Sequence, residues 1–162
     1  MSVLKVLYYP EPVLKQKAKA VTDFTKITSE LIRDMVETMY AKAGVGLAAP
    51  QIGLSQQIAV LCPSMKKGEE RFLINPVILE ATGEEIGTEG CLSVPGASAE
   101  IRRATEIKFQ AMDLKGKTFT EKATGFYARV IQHELDHLNG TLIIDRVDFV
   151  RRQQLLSTYK LI

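Results

Sequence analysis

Apolar residues recur with a helical period in three stretches of the chain. Over residues 25–43 they stand four positions apart, which places them on one face of a long helix that has Thr25 or Thr28 as its N-cap and ends before Gly44. A second helix is predicted over residues 126–138, where an Asn-Gly pair follows as a suitable helix end. A short amphipathic helix is predicted over residues 148–159. The chain therefore has a long N-terminal helix, a central helix and a C-terminal helix.

Between the helices, short apolar runs bounded by Gly and Pro are typical of strands. Residues 44–53 are too rich in glycine for a helix and too unpatterned for an ordinary strand, and such a segment lets backbone approach a neighbour closely. Residues 1–22 are expected to form an extended arm with a turn. The predicted strands are residues 58–62, 72–79, 106–112 and 117–122, the last two being a hairpin around a turn at 113–116.

Composition narrows the class of protein. The 162 residues are 46% hydrophobic and 25% charged, which is ordinary for one globular domain, and we expect a single domain over 1–162. The net charge of +2, without blocks of like charge, argues against a sequence-specific nucleic-acid binder, and the chain lacks an apolar run of membrane-spanning length. Its first residues lack the features of an export signal, so we expect a cytoplasmic location, with an organelle as the alternative.

The strongest chemical signal is the run His133-Glu134-Leu-Asp-His137. Residues four apart on a helix are about 40° apart around its axis, so both imidazoles project from one face, as a divalent metal requires. Glu134 lies beside the first imidazole, where a carboxylate can take a proton from a water that the metal activates. The strand-rich middle of the chain and its separate helices favour an α+β fold, which we expect to have antiparallel β-sheets packed around this central metal-binding helix.

A third ligand must come from elsewhere in the chain. Cys91 lies in a bent segment between Gly90 and Pro95, whereas Cys62 ends an apolar strand and is typical of a buried small hydrophobic residue. One Cys with two His leaves a coordination position for water, which is the pattern of a catalytic site. A structural zinc site with four protein ligands is the alternative.

Three segments taken together carry a resemblance to a known family. Residues 44–51 (GVGLAAPQ), 89–93 (EGCLS) and 132–137 (QHELDH) resemble, in order and spacing, the three motifs of the peptide deformylase family. The resemblance extends over about residues 4–147. A lone H-E-x-x-H motif would instead suggest a metalloprotease.

The resemblance implies a metal-dependent hydrolase of N-terminal processing in protein biosynthesis. Its substrate would be an N-formylmethionyl nascent polypeptide, from which it releases formate. The implied metal ligands are Cys91, His133 and His137, holding one Fe(2+) per chain, with Zn(2+), Ni(2+) or Co(2+) as substitutes. Ligand chemistry alone favours zinc, so the choice of iron rests on the resemblance.

The resemblance also implies roles around the metal. Glu134 moves the proton, while Gln51 and the backbone N–H of Leu92 donate to the formyl oxygen. Gly46, Glu89 and Leu92 line the site, and Asp136 and Arg103 are candidates to support it. No arginine occurs in residues 96–99, where some relatives place one near the pocket rim. The candidates for the pocket of the methionine side chain are Val45, Phe126 and Val130.

Two other functions are compatible with parts of this pattern. A zinc metalloendopeptidase would share the two histidines, but its third ligand usually lies downstream, whereas Cys91 lies upstream. A non-catalytic, metal-stabilised binding module would have no use for Glu134. An enzyme of nascent chains has the ribosome as a candidate transient partner, and Arg151-Arg152 in the last helix is the basic pair that could contact it.

Overall fold

Antiparallel strands form the middle of the chain in this computed structural model, which describes residues 2–159. The strands are β1 (Gly46–Ala48), β2 (Ile58–Leu61), β3 (Arg71–Thr82), β4 (Glu85–Gly90), β5 (Ser98–Arg103), β6 (Glu106–Met112) and β7 (Thr118–Thr124). Five of them form one sheet in the order β1-β2-β3-β6-β7, while β4 and β5 pair separately. Met1 and residues 160–162, at the ends of the expected domain, lie outside the described residues.

The predicted hairpin is confirmed as β6 and β7. Ile107, Phe109 and Ala111 are buried and alternate with residues that are partly open to solvent, which is the period of a strand with one face in the core. Gly116 closes the turn with φ of 78°, a backbone conformation that glycine adopts without strain. The second strand lies over Thr118–Thr124, so it starts one residue later and ends two residues later than predicted.

Three α-helices flank the sheets, and all three were predicted. The first, α1, begins at Ser29 because the hydroxyl of Thr28 accepts a hydrogen bond from the N–H of Leu31. Thr28, one of the two predicted N-caps, is thus confirmed, whereas Thr25 lies in a separate 3-10 turn at Phe24–Lys26 that Asp23 caps. The helices are α1 (Ser29–Ala41), α2 (Gly125–Leu138) and α3 (Phe149–Thr158).

The central helix α2 is buried along most of its length. Ala128, Ile131 and Leu135 pack into the core shared with β6 and β7. The helix ends at Asn139, and Gly140 follows with φ of 75°, as the Asn-Gly pair predicted. A side chain at Gly140 would not fit, because its Cβ would lie 2.6 Å from the carbonyl oxygen of Lys15.

Two features of the sheets were not predicted. The β4–β5 hairpin escaped notice because β4 is rich in Glu and Gly, and because β5 turns Arg103 inward beside Ala99 and Ile101. The glycine-rich segment 44–53 was expected to form no strand, yet it contains β1, whose three residues are all buried, followed by a 3-10 turn at Ala49–Ile52. Both features lie directly beside the site described next.

The N-terminal arm and α3 both pack on the rest of the fold. Leu7 donates a backbone hydrogen bond to the carbonyl of Gln51, so the N-terminal arm passes along the glycine-rich segment. In α3, the carboxylate of Asp148 caps the helix by accepting from the N–H of Arg151. No helix within residues 2–159 is both long and apolar enough to cross a membrane.

Candidate metal and active site

Three potential metal ligands converge beside α2. The Nε2 atoms of His133 and His137 lie 3.2 Å apart, and the Sγ of Cys91 lies 3.3 Å from the Nε2 of His137. One ligand atom from each of the three residues lies within 4.8 Å of the others. The structure thus brings together the three residues that the sequence singled out.

Cys62 lies outside this group. It follows β2, its side chain is buried, and its thiol contacts the carbonyl oxygen of Lys66 at 3.3 Å. Cys91 follows β4 and is half-buried at the wall of a cavity. The position of the β4–β5 hairpin, which sequence patterning did not reveal, is therefore what places one cysteine and not the other beside the histidines.

The spacing of the three donor atoms suits a divalent metal. Tetrahedral coordination at about 2.1 Å from nitrogen and 2.3 Å from sulfur sets neighbouring donors roughly 3.4–3.6 Å apart. The observed separations of 3.2 and 3.3 Å are close to these values. Burial disfavours the charged form of Cys91, but the nearby His137 and His133 outweigh it and lower the pKa of the thiol to about 5. A thiolate, the form that binds metals, is thus favoured at this position.

Glu89 fixes the orientation of the first imidazole. Its Oε1 lies 2.9 Å from the Nδ1 of His133, which leaves the opposite ring nitrogen facing the ligand group. Arg103 donates to both carboxylate oxygens of Glu89 at 2.8 and 2.9 Å, and Arg129 donates to Oε2 at 2.7 Å. Although burial opposes ionisation, Arg103 and His133 hold the pKa of Glu89 well below its usual range. Glu89 is therefore a charged acceptor at this site.

Glu134 is buried next to the ligand group and has free hydrogen-bonding capacity. Its Oε2 has no hydrogen-bond partner within residues 2–159. Burial raises the pKa of Glu134, against the opposing effect of the two nearby histidines. Gly46 in β1 packs directly on this carboxylate, because a Cβ at that position would lie 2.3 Å from Oε1. Glycine at this point is what allows β1 to approach α2 so closely.

Gln51 and Leu92 present hydrogen-bond donors near Cys91. The side-chain carbonyl of Gln51 accepts from the N–H of Ala48 at 2.9 Å, which turns its amide nitrogen toward Ser93 Oγ at 3.0 Å and Cys91 Sγ at 4.0 Å. The N–H of Leu92 makes no hydrogen bond within the described part of the chain. Both donors thus lie at the same wall as the metal ligands.

A cavity of about 560 Å³, the metal-side cavity, opens in front of these groups. Phe126 is 54% exposed at its edge, while Val130 is buried in its wall. His137 is buried behind the wall and does not line the cavity. The predicted site residues that line it are Val45, Gly46, Gln51, Glu89, Cys91, Leu92, Phe126, Val130, His133 and Glu134.

Sequence reasoning missed several residues of this site. Arg129 is not among the predicted site residues, yet it lines the cavity and contacts Glu89. Ser93, Tyr8 and Lys42 were not considered, although Ser93 binds Gln51 and the other two line the cavity. Ser93 ends the second motif, which could have marked it, whereas no local pattern marks Arg129, Tyr8 or Lys42, because their positions depend on how distant elements pack.

A larger groove of about 960 Å³ lies behind α2 and is called the rear groove here. It is lined by parts of β3, by Arg102 to Ala104, by the rear of α2 and by Arg146. It contains none of the three potential ligands and not Glu134, so its size does not make it the candidate site.

Comparison with known proteins agrees with this geometry. Residues 3–153, nearly the whole chain, match the family model described as Polypeptide deformylase. The chain belongs to the peptide deformylase family. The peptide deformylase of Halothermothrix orenii is 49% identical over 147 residues, which cover 91% of this chain and 95% of that protein. The peptide deformylase of Thermodesulfovibrio yellowstonii is 38% identical over 162 residues, covering 99% of this chain and 98% of that protein.

Solved structures of the family share the fold. The crystal structure of a peptide deformylase from Legionella pneumophila superimposes with a TM-score of 0.92 at 40% identity, covering 96% of this chain and 92% of that one. For the peptide deformylase from Thermotoga maritima the TM-score is 0.86 at 42% identity, with coverage of 91% and 99%. The predicted α+β fold and the assignment to this family of hydrolases are confirmed.

Proposed function

We propose that this chain removes the formyl group from the N-terminus of formylmethionyl polypeptides and releases formate. The observation that carries the proposal is the group formed by Cys91, His133 and His137, with the buried carboxylate of Glu134 beside it at the metal-side cavity. All four residues lie in segments that resemble motifs of the peptide deformylase family, and within the residues that match its family model.

The proposed cofactor is one Fe(2+) ion per chain, held by Cys91, His133 and His137. The donor spacing described above supports a metal at this position. Such an ion supplies Lewis-acid chemistry, since it polarises the formyl group and acidifies the attacking water. Iron is proposed because of the family, while Zn(2+), Ni(2+) and Co(2+) suit the same donors and are proposed as substitutes.

Glu134 is proposed to carry the proton. Burial raises the pKa of Glu134, which makes its carboxylate a better proton acceptor than an exposed glutamate. The carboxylate would accept the proton of the attacking water and return it to the amine that leaves. Its Oε2, which has no hydrogen-bond partner among the described residues, is available for this transfer.

Gln51 and Leu92 are proposed to stabilise the charge that develops on the formyl oxygen. Backbone and amide donors that are already fixed in place cost no reorganisation during the reaction. The bond from Ala48 to the carbonyl of Gln51 holds that amide, and the N–H of Leu92 has no competing partner within residues 2–159. Both donors are therefore suited to this role.

The substrate is proposed to bind as an added strand beside β1. This strand is the edge of its sheet, since β2 pairs with it on one side only. An extended peptide can pair with such an edge through main-chain hydrogen bonds. The methionine side chain would then enter the apolar part of the cavity formed by Val45, Phe126 and Val130.

The working compartment is proposed to be the cytoplasm, where nascent formylated chains arise, and a transient contact with the ribosome is proposed to accompany catalysis. The basic pair on α3 is the candidate contact. Both guanidinium groups also serve within the chain, since Arg151 donates to the carbonyl of Ser98 and Arg152 donates to Asp145.

A comparison of matched substrates tests the proposed reaction. We expect iron-loaded, anaerobically purified protein to release formate from formyl-Met-Ala-Ser and to leave Met-Ala-Ser and acetyl-Met-Ala-Ser intact. Longer peptides with internal amides serve to detect peptidase activity. Cleavage of those internal amides would instead identify a zinc metalloendopeptidase, and inertness toward every substrate would favour a metal-stabilised binding module.

Exposure to air tests the choice of iron. We expect activity to decay faster in aerobic buffer when the protein holds Fe(2+) than when it holds Ni(2+) or Co(2+). Oxygen oxidises ferrous iron readily, and the Cys91 thiolate bound to it is then oxidised as well. The measurement is the half-life of formate release for each metal form. Equal half-lives would argue against iron as the working ion.

A further inference from the structure

A chain of alternating charges links the metal-side cavity to the rear groove. It begins at His133 and passes through Glu89, Arg103 and Asp136 to Arg146. Each neighbouring pair is joined by at least one contact of 2.6–2.9 Å. The side chains of Arg103 and Glu89 are only 3% and 6% exposed, whereas that of Arg146 is 46% exposed.

Arg146 holds Asp136 by two parallel hydrogen bonds. Its Nη2 donates to Oδ1 at 2.6 Å and its Nε donates to Oδ2 at 2.9 Å. Such a bidentate pair fixes both the position and the plane of a carboxylate. Arg146 comes directly after the 3-10 turn Ile143–Asp145 and lines the rear groove, so it has no contact with the metal-side cavity.

Asp136 in turn determines how Arg103 can lie. Its Oδ2 accepts from the Nη1 of Arg103 at 2.6 Å, which leaves the other edge of that guanidinium free for Glu89. Through that edge Arg103 donates from Nε and Nη2 to both oxygens of Glu89. The oxygen that faces His133 is thereby fixed at hydrogen-bond distance from Nδ1.

We propose that Arg146 is a positioning residue of the metal site, acting through Asp136, Arg103 and Glu89 on the ring of His133. The proposal rests on the proposed function, because it requires the three ligands to hold a metal. Without Arg146, Asp136 keeps a single arginine partner and can rotate. The positions of the Arg103 guanidinium and of the Glu89 carboxylate are then less restricted.

The effect is expected to be moderate. Residues that contact a metal-ligating histidine typically change metal affinity by about 10–100-fold when they are replaced. Arg146 acts through three intermediate residues, and Arg129 independently holds Glu89 in place. We therefore expect Arg146→Met to raise the Kd for Co(2+) roughly fivefold, a fraction of the direct effect.

Cobalt binding and cobalt spectra test the proposal. Co(2+) is titrated into metal-free protein against a chelator, and the visible absorption bands report the geometry of the thiolate and imidazole ligands. In Arg146→Met we expect the higher Kd together with shifted or broadened bands. Arg146→Lys, which keeps one charged contact to Asp136, should lie between the variant and the original protein.

Arg152→Met is the matched control. Arg152 lies on α3 and holds the same turn by donating to Asp145 at 2.7 Å and to the carbonyl of Ile144 at 3.1 Å, but it has no contact with the charge chain. We expect this variant to bind cobalt with unchanged Kd and spectrum, even where its unfolding temperature falls. The same spectral change in Arg152→Met would mean that any loosening of this turn is sufficient, and would overturn the proposal.

Two further outcomes are decisive. An unchanged Kd and spectrum in Arg146→Met, with or without a lower unfolding temperature, would assign Arg146 a purely structural role. Where Arg146→Met fails to fold, Arg146→Lys carries the same test, because lysine cannot make both hydrogen bonds to Asp136. A cobalt Kd and spectrum equal to those of the original protein in Arg146→Lys would then contradict positioning. If the unmodified protein itself bound no cobalt, the proposed metal site would fail, which is a separate result.

Discussion

Glu134→Gln should lower kcat for formate release by about 10²–10⁴-fold, the usual range for removing a group that transfers a proton. Glutamine has nearly the same volume as glutamate, so the packing against Gly46 is preserved. It cannot accept a proton from water, however. The three metal ligands are untouched, and we expect the variant to contain the same amount of metal as the original protein.

The measurement combines kcat on formyl-Met-Ala-Ser with the metal content of the same preparation. Glu80→Gln is the control, because Glu80 is an exposed glutamate on β3 and lies outside the metal-side cavity. It should retain full activity. Undiminished turnover in Glu134→Gln would exclude the proposed proton transfer, and loss of the metal would show that Glu134 helps to maintain the ligand group instead.

The same variant should not unfold more easily. Glu134 is 3% exposed, and one of its oxygens has no hydrogen-bond partner within residues 2–159. A buried carboxylate without full partners disfavours the folded state. We therefore expect metal-free Glu134→Gln to have an unfolding temperature equal to or above that of the metal-free original protein, as is common where a function requires a destabilising group.

The parts of the fold that follow from local pattern were predicted from the sequence. The apolar stripe of α1, the buried faces of α2 and the alternation in β6 are short-range signals, and each predicted the correct element. The β4–β5 hairpin has no such signal, because Arg103 points inward and is paired there with Glu89 and Asp136. A buried charge is compatible with a strand only once its partners are in place, and these partners lie on other elements.

The candidate site divides in the same way. His133 and His137 follow from a spacing of four residues on one helix, and that spacing survives any arrangement of the rest of the chain. Cys91 was favoured over Cys62 by its local sequence and by the resemblance, but only the packing of the hairpin against α2 brings its sulfur to the histidines. No local sequence pattern predicts the roles of Arg129 and Arg146. Arg129 acts through Glu89, which is distant in sequence, and Arg146 acts through Asp136, which faces the rear groove.

The two cysteines provide a matched pair of substitutions whose expected results differ most. Cys91→Ser should lower the affinity for the metal by at least about 10²-fold, because a serine hydroxyl does not ionise at neutral pH and cannot replace the thiolate. Formate release should be lost together with the metal. Cys62→Ser makes the same chemical change at a buried position away from the histidines, where the thiol contacts the carbonyl of Lys66. It should keep its metal and its kcat.

Only stability should distinguish Cys62→Ser from the original protein. A more polar hydroxyl at a site that is 1% exposed should lower the free energy of unfolding by about 1 kcal/mol, which thermal unfolding of the metal-free proteins can detect. Metal content and kcat, measured for both variants in one experiment, decide the ligand. Retention of metal by Cys91→Ser together with its loss from Cys62→Ser would reverse the assignment. That reversal would contradict the structure. In the structure the histidines lie beside the sulfur of Cys91, which follows β4, and not beside the sulfur of Cys62, which follows β2.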